Sequence, residues 1–251
     1  MKAVRELVLK AQNLKVAFGG VQALDLDLFK LEENELRVII GPNGAGKSTF
    51  MDLICGKTKA DSGSILFENE NILGKKEVDI AQMGIGRKFQ KPSVFAGLTV
   101  YDNLLLAYKM PKDVWSSIVF KTNSAIVDRI HAVAKKVGLE DFLDVEAGGL
   151  SHGQKQWLEI GIVVIQNPKL MLIDEPAAGM SDTETAKTGE LILSLVENHS
   201  VIVIEHDMNF VEQIAIEKVS VLVRGKLLTE GAFQDIRADE RVINSYLGKA
   251  V

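Results

Sequence analysis

The sequence is poor in the residues that build disulfide frameworks and thiolate metal sites. Cys55 is the single cysteine among 251 residues, which excludes both a disulfide scaffold and a cysteine-based zinc site. No stretch reaches the ~18 uninterrupted apolar residues of a membrane span. The opening MKAVRELVLKAQNLKV alternates charged and apolar residues and lacks the apolar core of a secretion signal. Basic residues are not in excess: 29 Lys and Arg face 34 Asp and Glu, a formal charge of -5. The clustered positive field of a nucleic-acid binder is therefore missing, and no nucleic-acid partner is expected. These absences describe a soluble, cytoplasmic protein that reaches a membrane only through a partner. With 47% hydrophobic residues and five prolines, the chain suits one large α/β domain or a core with a smaller lobe.

Short apolar runs are what the sequence does have. ELRVII (35–40), KLMLID (169–174), SVIVIEH (200–206) and VSVLVRG (219–225) are β-branched and of strand length, as expected of parallel strands covered on both faces. Helical patterns alternate with them, which gives an α/β class with a mainly parallel sheet. One helix is predicted from Gly46 to about Gly56, and another from Ser181, through an S-x-x-E capping box with Glu184, to about Glu197. Residues 5–35 and 63–70 alternate as in an antiparallel β region. Between 95 and 160 good strands are lacking, while Ile126, Ile130, Val133 and Val137 form a helical stripe, so this middle region reads as an inserted helical lobe.

The strand at 35–40 runs into GPNGAGKST, residues 41–49, which is G-x-x-x-x-G-K-[ST] with a strand before it and a helix after. The loop Gly41, Pro42, Asn43, Gly44, Ala45 and Gly46 lets backbone N–H groups turn toward phosphate oxygens. Lys47 adds a point charge, and Ser48, followed by Thr49, can ligate Mg²⁺. The helix N-terminus beneath adds partial positive charge. Such a loop needs a carboxylate at the end of a neighbouring apolar strand, and LMLIDEP supplies Asp174. Glu175 follows, and consecutive side chains at a strand end diverge, so one can face the metal and the other a water beyond the γ-phosphate. His206 ends the next apolar strand and emerges beside Asp174 if the two strands are neighbours.

LSHGQKQWLEIG, beginning at Leu150, poses a separate question. Ser151 and Gln154 fit a capping box, but Gly153 in the first turn costs roughly 1 kcal/mol against alanine, as though something comes close to that backbone. Taken in order, Phe18, the P-loop, Gln90 in GRKFQKP, residues Leu150 to Gln154, the Asp174–Glu175 strand end and His206 resemble the ATP-binding subunits of ABC transporters over nearly the whole chain.

That resemblance implies a P-loop NTPase fold of the RecA type. The nucleotide-binding core and β subdomain would span about 1–92 and 162–251, and a helical signature lobe about 93–161. It implies ATP and Mg²⁺ as cofactors, with Ser48, Gln90 and Asp174 around the metal and Glu175, His206 and Lys47 as catalytic residues. Phe18 would stack on adenine, although the residue alone fits a core aromatic equally well. The signature Leu150, Ser151, His152, Gly153 and Gln154 would serve the nucleotide of a second ATPase subunit, in a head-to-tail homodimer or beside a paralogous chain. Other partners implied are transmembrane permease subunits and, indirectly, an extracytoplasmic solute-binding protein. The location implied is peripheral, on the inner face of the cell membrane.

Two positions depart from the family pattern: His152 stands where glycine is common, and Ser181 where the loop after Glu175 usually ends in aspartate. LSHGQKQWLEIG, GIGRKFQKPSVF, DEPAAGMSDTET and VINSYLGKA look most like the ATPase subunit of urea transporters, within the branched-chain amino-acid transporter group. The expected function is an ATP-hydrolysing importer motor for urea or a short-chain amide. Branched-chain amino acids are the alternative, and a non-transport ABC ATPase is a more distant one.

Overall fold

The computed structural model describes residues 5–88, 94–108 and 124–246. Its centre is a six-stranded sheet in the order β10-β9-β3-β8-β7-β6. The strands are β3 (Leu36–Ile40), β6 (Ile85–Lys88), β7 (Leu170–Asp174), β8 (Ser200–Ile204), β9 (Lys218–Val223) and β10 (Lys226–Gly231). All pair in parallel except β10, which returns antiparallel along β9. The four apolar runs are therefore strands, β3 at the centre, and β7 and β8 are neighbours. Every residue of β3, β7 and β8 is buried.

Two cores explain why these strands read as unbroken apolar runs. Successive side chains leave opposite faces. Val38, Ile40, Met171, Ile173, Val201 and Val203 enter one core, while Ile39, Leu170, Leu172, Ile202 and Ile204 enter the other. The second core lies under a four-stranded antiparallel sheet, order β2-β1-β4-β5, made by β1 (Leu7–Phe18), β2 (Val21–Glu32), β4 (Ser62–Phe67) and β5 (Glu70–Asn71). Helix α1 (Lys47–Ile54) fills the space between the sheets with Phe50, Met51, Leu53 and Ile54.

Helices cover the other face. After α2 (Glu77–Met83) come α3 (Val100–Ala107), α4 (Ser124–Lys136) and α5 (His152–Val164). The stripe Ile126, Ile130, Val133 and Val137 is buried and belongs to the same core as Leu104, Trp157 and Ile160. The helical region thus shares its core with the central sheet, and the boundary expected at 161/162 falls inside the continuous helix α5. The remaining helices are α6 (Asp182–Leu195), α7 (Met208–Ile214), α8 (Phe233–Ala238) and α9 (Glu240–Tyr246). Both expected capping boxes are formed: Ser151 and Gln154 close α5, and Ser181 and Glu184 close α6.

Two strands escaped the sequence pattern. IGRK at β6 has one large apolar residue, and KLLTEG at β10 is only half-buried, so neither resembles its neighbours. Arg37 ties the β10 edge together from inside. Its guanidinium is 1% exposed and donates to Glu35, Ser220, Glu230 and the Lys30 carbonyl, which joins β2, β3, β9 and β10.

Candidate nucleotide site

The P-loop starts where β3 leaves the sheet centre. Gly46, at the N-terminus of α1, has φ +97°, and a Cβ there would lie 2.5 Å from the Ala23 carbonyl oxygen, so only glycine lets the loop pass under β2. Lys47 is buried, and its ammonium donates to the carbonyls of Gly41 at 2.6 Å and Pro42 at 3.1 Å. Burial pushes its pKa down, opposed by the charges of Glu175 and Asp174. The two carboxylates therefore lie within electrostatic reach of the P-loop lysine. Asn43, Gly44 and Ser48 are exposed at the loop surface.

Asp174 ends β7 and is 2% exposed, with Oδ1 buried and without a hydrogen-bond partner. Burial raises its pKa, and the Arg87 guanidinium, 3.8 Å from Oδ2, works against that rise. An orphaned buried carboxylate oxygen is what a hard cation would satisfy. Among the described residues no cluster of three or more His, Cys, Asp or Glu could hold a metal ion. Mg²⁺ is commonly held by one or two carboxylates together with substrate phosphates, and Ser48 with Asp174 fits that kind of site.

Glu175 diverges from Asp174, as its position at a strand end requires. It adopts φ +47°, the left-handed region that a non-glycine residue occupies at a cost of order 1–3 kcal/mol, and its N–H donates to the Ile204 carbonyl at 3.0 Å. This turn brings Glu175 Oε1 to 3.3 Å from His206 Nδ1, with the imidazole more than half exposed. The adjacency of β7 and β8 thus joins Glu175 and His206. Phe18 is 55% exposed at the tip of the β1–β2 hairpin, so it is not a core aromatic. Gln90 lies outside the described residues.

The signature occupies the start of α5. Leu150 and Gly153 are buried, while Ser151 and His152 are exposed. Its side-chain hydrogen bonds run among Ser151, His152, Gln154, Glu184 and Ala178, none of which belongs to the P-loop. A Cβ at Gly153 would lie 2.4 Å from Glu184 Oε1. The sequence suggested that something comes close to the Gly153 backbone, and in the single chain that group is the Glu184 carboxylate.

Four supporting residues were missed in the sequence. Glu205 is 2% exposed and accepts from the N–H groups of His206, Asp207 and Ala177, so it braces the histidine turn against the loop after Glu175. Burial raises its pKa against those hydrogen bonds. Lys88 and Glu159 form a buried ion pair at 3.4 Å that joins the end of β6 to α5. Arg87 links Asp52 of α1 to Asp174. Arg87 and Lys88 end β6, Glu205 lies just past β8 and Glu159 sits on the buried stretch of α5, so a charge beside apolar neighbours is the sequence signal for each, but only the fold supplies their partners.

A family model described as ABC transporter matches residues 24–178. The "High-affinity branched-chain amino acid transport ATP-binding protein LivG" of Escherichia coli is 34% identical, with 97% of this chain and 98% of the relative covered. BraF of Pseudomonas aeruginosa, named in the same words, is also 34% identical over 97% of this chain and 98% of its own. A solved nucleotide-free ATP-binding cassette from an ABC transporter superposes with a TM-score of 0.85 at 30% identity, covering 97% of this chain and all of the other. An ADP-bound cassette matches with the same TM-score and identity.

Proposed function

Because this chain belongs to the ABC transporter family, as an ATP-binding subunit with ATPase activity, we propose that it drives an importer of branched-chain amino acids. The observation that carries the catalytic part is the cluster at the ends of β3, β7 and β8. Lys47, Asp174 and Glu175 are coupled through space, and Glu175 meets His206 at 3.3 Å. The cargo rests on the relatives, whose names specify branched-chain amino acids. Urea and short-chain amides, suggested by the motifs, have no support among those relatives.

The residues divide the work by position. Gly41 to Gly46 and Thr49 wrap the phosphates, Lys47 supplies positive charge to them, and exposed Phe18 offers a face for adenine. Ser48, Asp174 and Gln90 would hold Mg²⁺, which when bound offsets phosphate charge. Glu175 draws the proton from the attacking water, and the turn at Glu175 sets its carboxylate beside His206. His206, braced by Glu205, holds the transferred phosphoryl group and orients Glu175.

Leu150 to Gln154 would complete the site of a second copy or a paralogous subunit. The helical region around the signature, α3 to α5, would face the permeases, with the solute-binding protein acting from the far side of the membrane. Among the described residues no helix is long and apolar enough to cross a membrane, so attachment would go through the permeases. The test is transport by the chain reconstituted with its permeases and solute-binding protein in vesicles. ATP-dependent uptake of leucine, isoleucine or valine is expected. Uptake of urea without leucine would overturn the cargo, and ATP-independent uptake would overturn the motor role.

A further inference from the structure

The start of α5 is fastened to α6 and the loop before it by several side chains. Ser151 Oγ donates to Glu184 Oε1 at 3.3 Å. His152 Nε2 donates to the Ala178 carbonyl at 3.0 Å. One turn further, Trp157 Nε1 donates to buried Thr188 Oγ1 at 2.9 Å, and the Thr188 hydroxyl donates back to the Glu184 carbonyl at 2.8 Å. Glu184 also accepts from Ser181 N at 3.0 Å and Ser181 Oγ at 2.8 Å through its other carboxylate oxygen. One carboxylate is thus shared between the N-termini of two helices, each of which favours negative charge. Hydrogen bonds from Ser181 hold this carboxyl below its usual range. The two departures from the family pattern, His152 and Ser181, are parts of this one cluster.

We propose that Glu184 is a positioning residue that occupies the signature of its own chain, holding Ser151 where a second copy's nucleotide phosphate must later bind. The proposal rests on the trans role given to Leu150–Gln154 above. A serine hydroxyl has one proton, so Ser151 donates to Glu184 or to a phosphate, not to both. A phosphate arriving beside the Glu184 carboxylate also meets like charge, and Gly153 leaves no side chain between them. Closure of two chains therefore requires Glu184 to release Ser151. His152 and Trp157 meanwhile keep α5 attached to the segment that begins at Glu175, so the signature and that loop move together.

The experiment compares Glu184→Gln with Asp182→Asn, both in a Glu175→Gln parent that slows hydrolysis. Glutamine preserves the S-x-x-Q form of the capping box, already used by Ser151 and Gln154, while removing the charge. Asp182→Asn removes one charge from the exposed start of the same helix without touching Ser151. Dimerisation is followed by analytical ultracentrifugation over a Mg-ATP titration, with thermal melts as a folding control. The ATP concentration for half-maximal dimer should fall roughly 5-fold or more for Glu184→Gln and stay put for Asp182→Asn. An unchanged or higher midpoint for Glu184→Gln, or an equal fall for both, overturns the proposal and leaves the proposed function standing. A parent that forms no dimer at any Mg-ATP concentration overturns the trans reading of the signature, and this proposal with it.

Discussion

The P-loop and the signature are both loops that end in a helix N-terminus, yet their surroundings differ. The P-loop lysine lies within reach of two carboxylates of its own chain, and an exposed aromatic stands on the hairpin whose second strand passes over the loop. The signature's hydrogen bonds reach no catalytic group of its own chain; they go to Glu184, Ala178 and, from the Leu150 N–H, to Ala147 in the turn before α5. That half-furnished site is what the proposed pairing with a second chain would complete.

The largest expected effect breaks the first half. Glu175→Gln should lower turnover by roughly 10²–10⁴-fold while Mg-ATP still binds, because the substitution removes the base and keeps the shape. Turnover within a few-fold of wild type, measured by phosphate release, would remove Glu175 from the mechanism. The second prediction addresses the other half. With Asn43→Cys and Ser151→Cys in one Glu175→Gln chain, mild oxidation should give covalent dimers in Mg-ATP and few without it, since a disulfide needs Cα atoms about 4.4–6.8 Å apart. Cys55 can remain, as burial pushes its thiol up to about 11. Crosslinks independent of nucleotide, or only within one chain, would reduce Ser151 to a helix cap.

A third test separates packing from coupling in the helices that carry the signature. Ile130→Ala empties a fully buried position and should cost about 2–5 kcal/mol in urea melts. Phe95→Asp, at a residue 61% exposed, should leave stability and basal ATPase near normal but abolish stimulation by permeases. Equal loss of basal and stimulated rates would make Phe95 part of the fold instead of an interface.

The smallest effect concerns pH. The folded-state pKa of Asp174 is raised, so the native chain keeps a proton that the unfolded chain has released. Stability therefore falls as pH rises from about 3.9 through that raised value, and the loss is complete above it. Asp174→Asn should raise Tm of the nucleotide-free protein by roughly 2–4 °C at neutral pH, with the gain shrinking toward pH 4, while ATPase activity is lost. A lower Tm at neutral pH would show that Asp174 stabilises the fold through Arg87 more than its burial costs.

Much of the molecule was readable along the chain because its signals are local. The unbroken apolar runs gave β3, β7, β8 and β9, since strands covered on both faces need apolar residues at every position. Both capping boxes lay within four residues, and GPNGAGKST marked the P-loop by its spacing together with the apolar run before it and the helical pattern after it. IGRK did not announce β6, because a strand ending in Arg87 and Lys88 has no apolar run, and its charges are accommodated only through Asp52, Asp174 and Glu159. What the tertiary structure alone decided is which distant charges meet: Lys88 with Glu159, Arg87 with Asp174, Glu175 with His206, and Glu184 with the signature. Periodicity and capping are properties of neighbours in sequence, whereas the partner of a buried charge is set by strand order and helix packing. The adjacency of β7 and β8 made Glu175 and His206 a pair, and the packing of α5 on α6 brought Gly153 against Glu184.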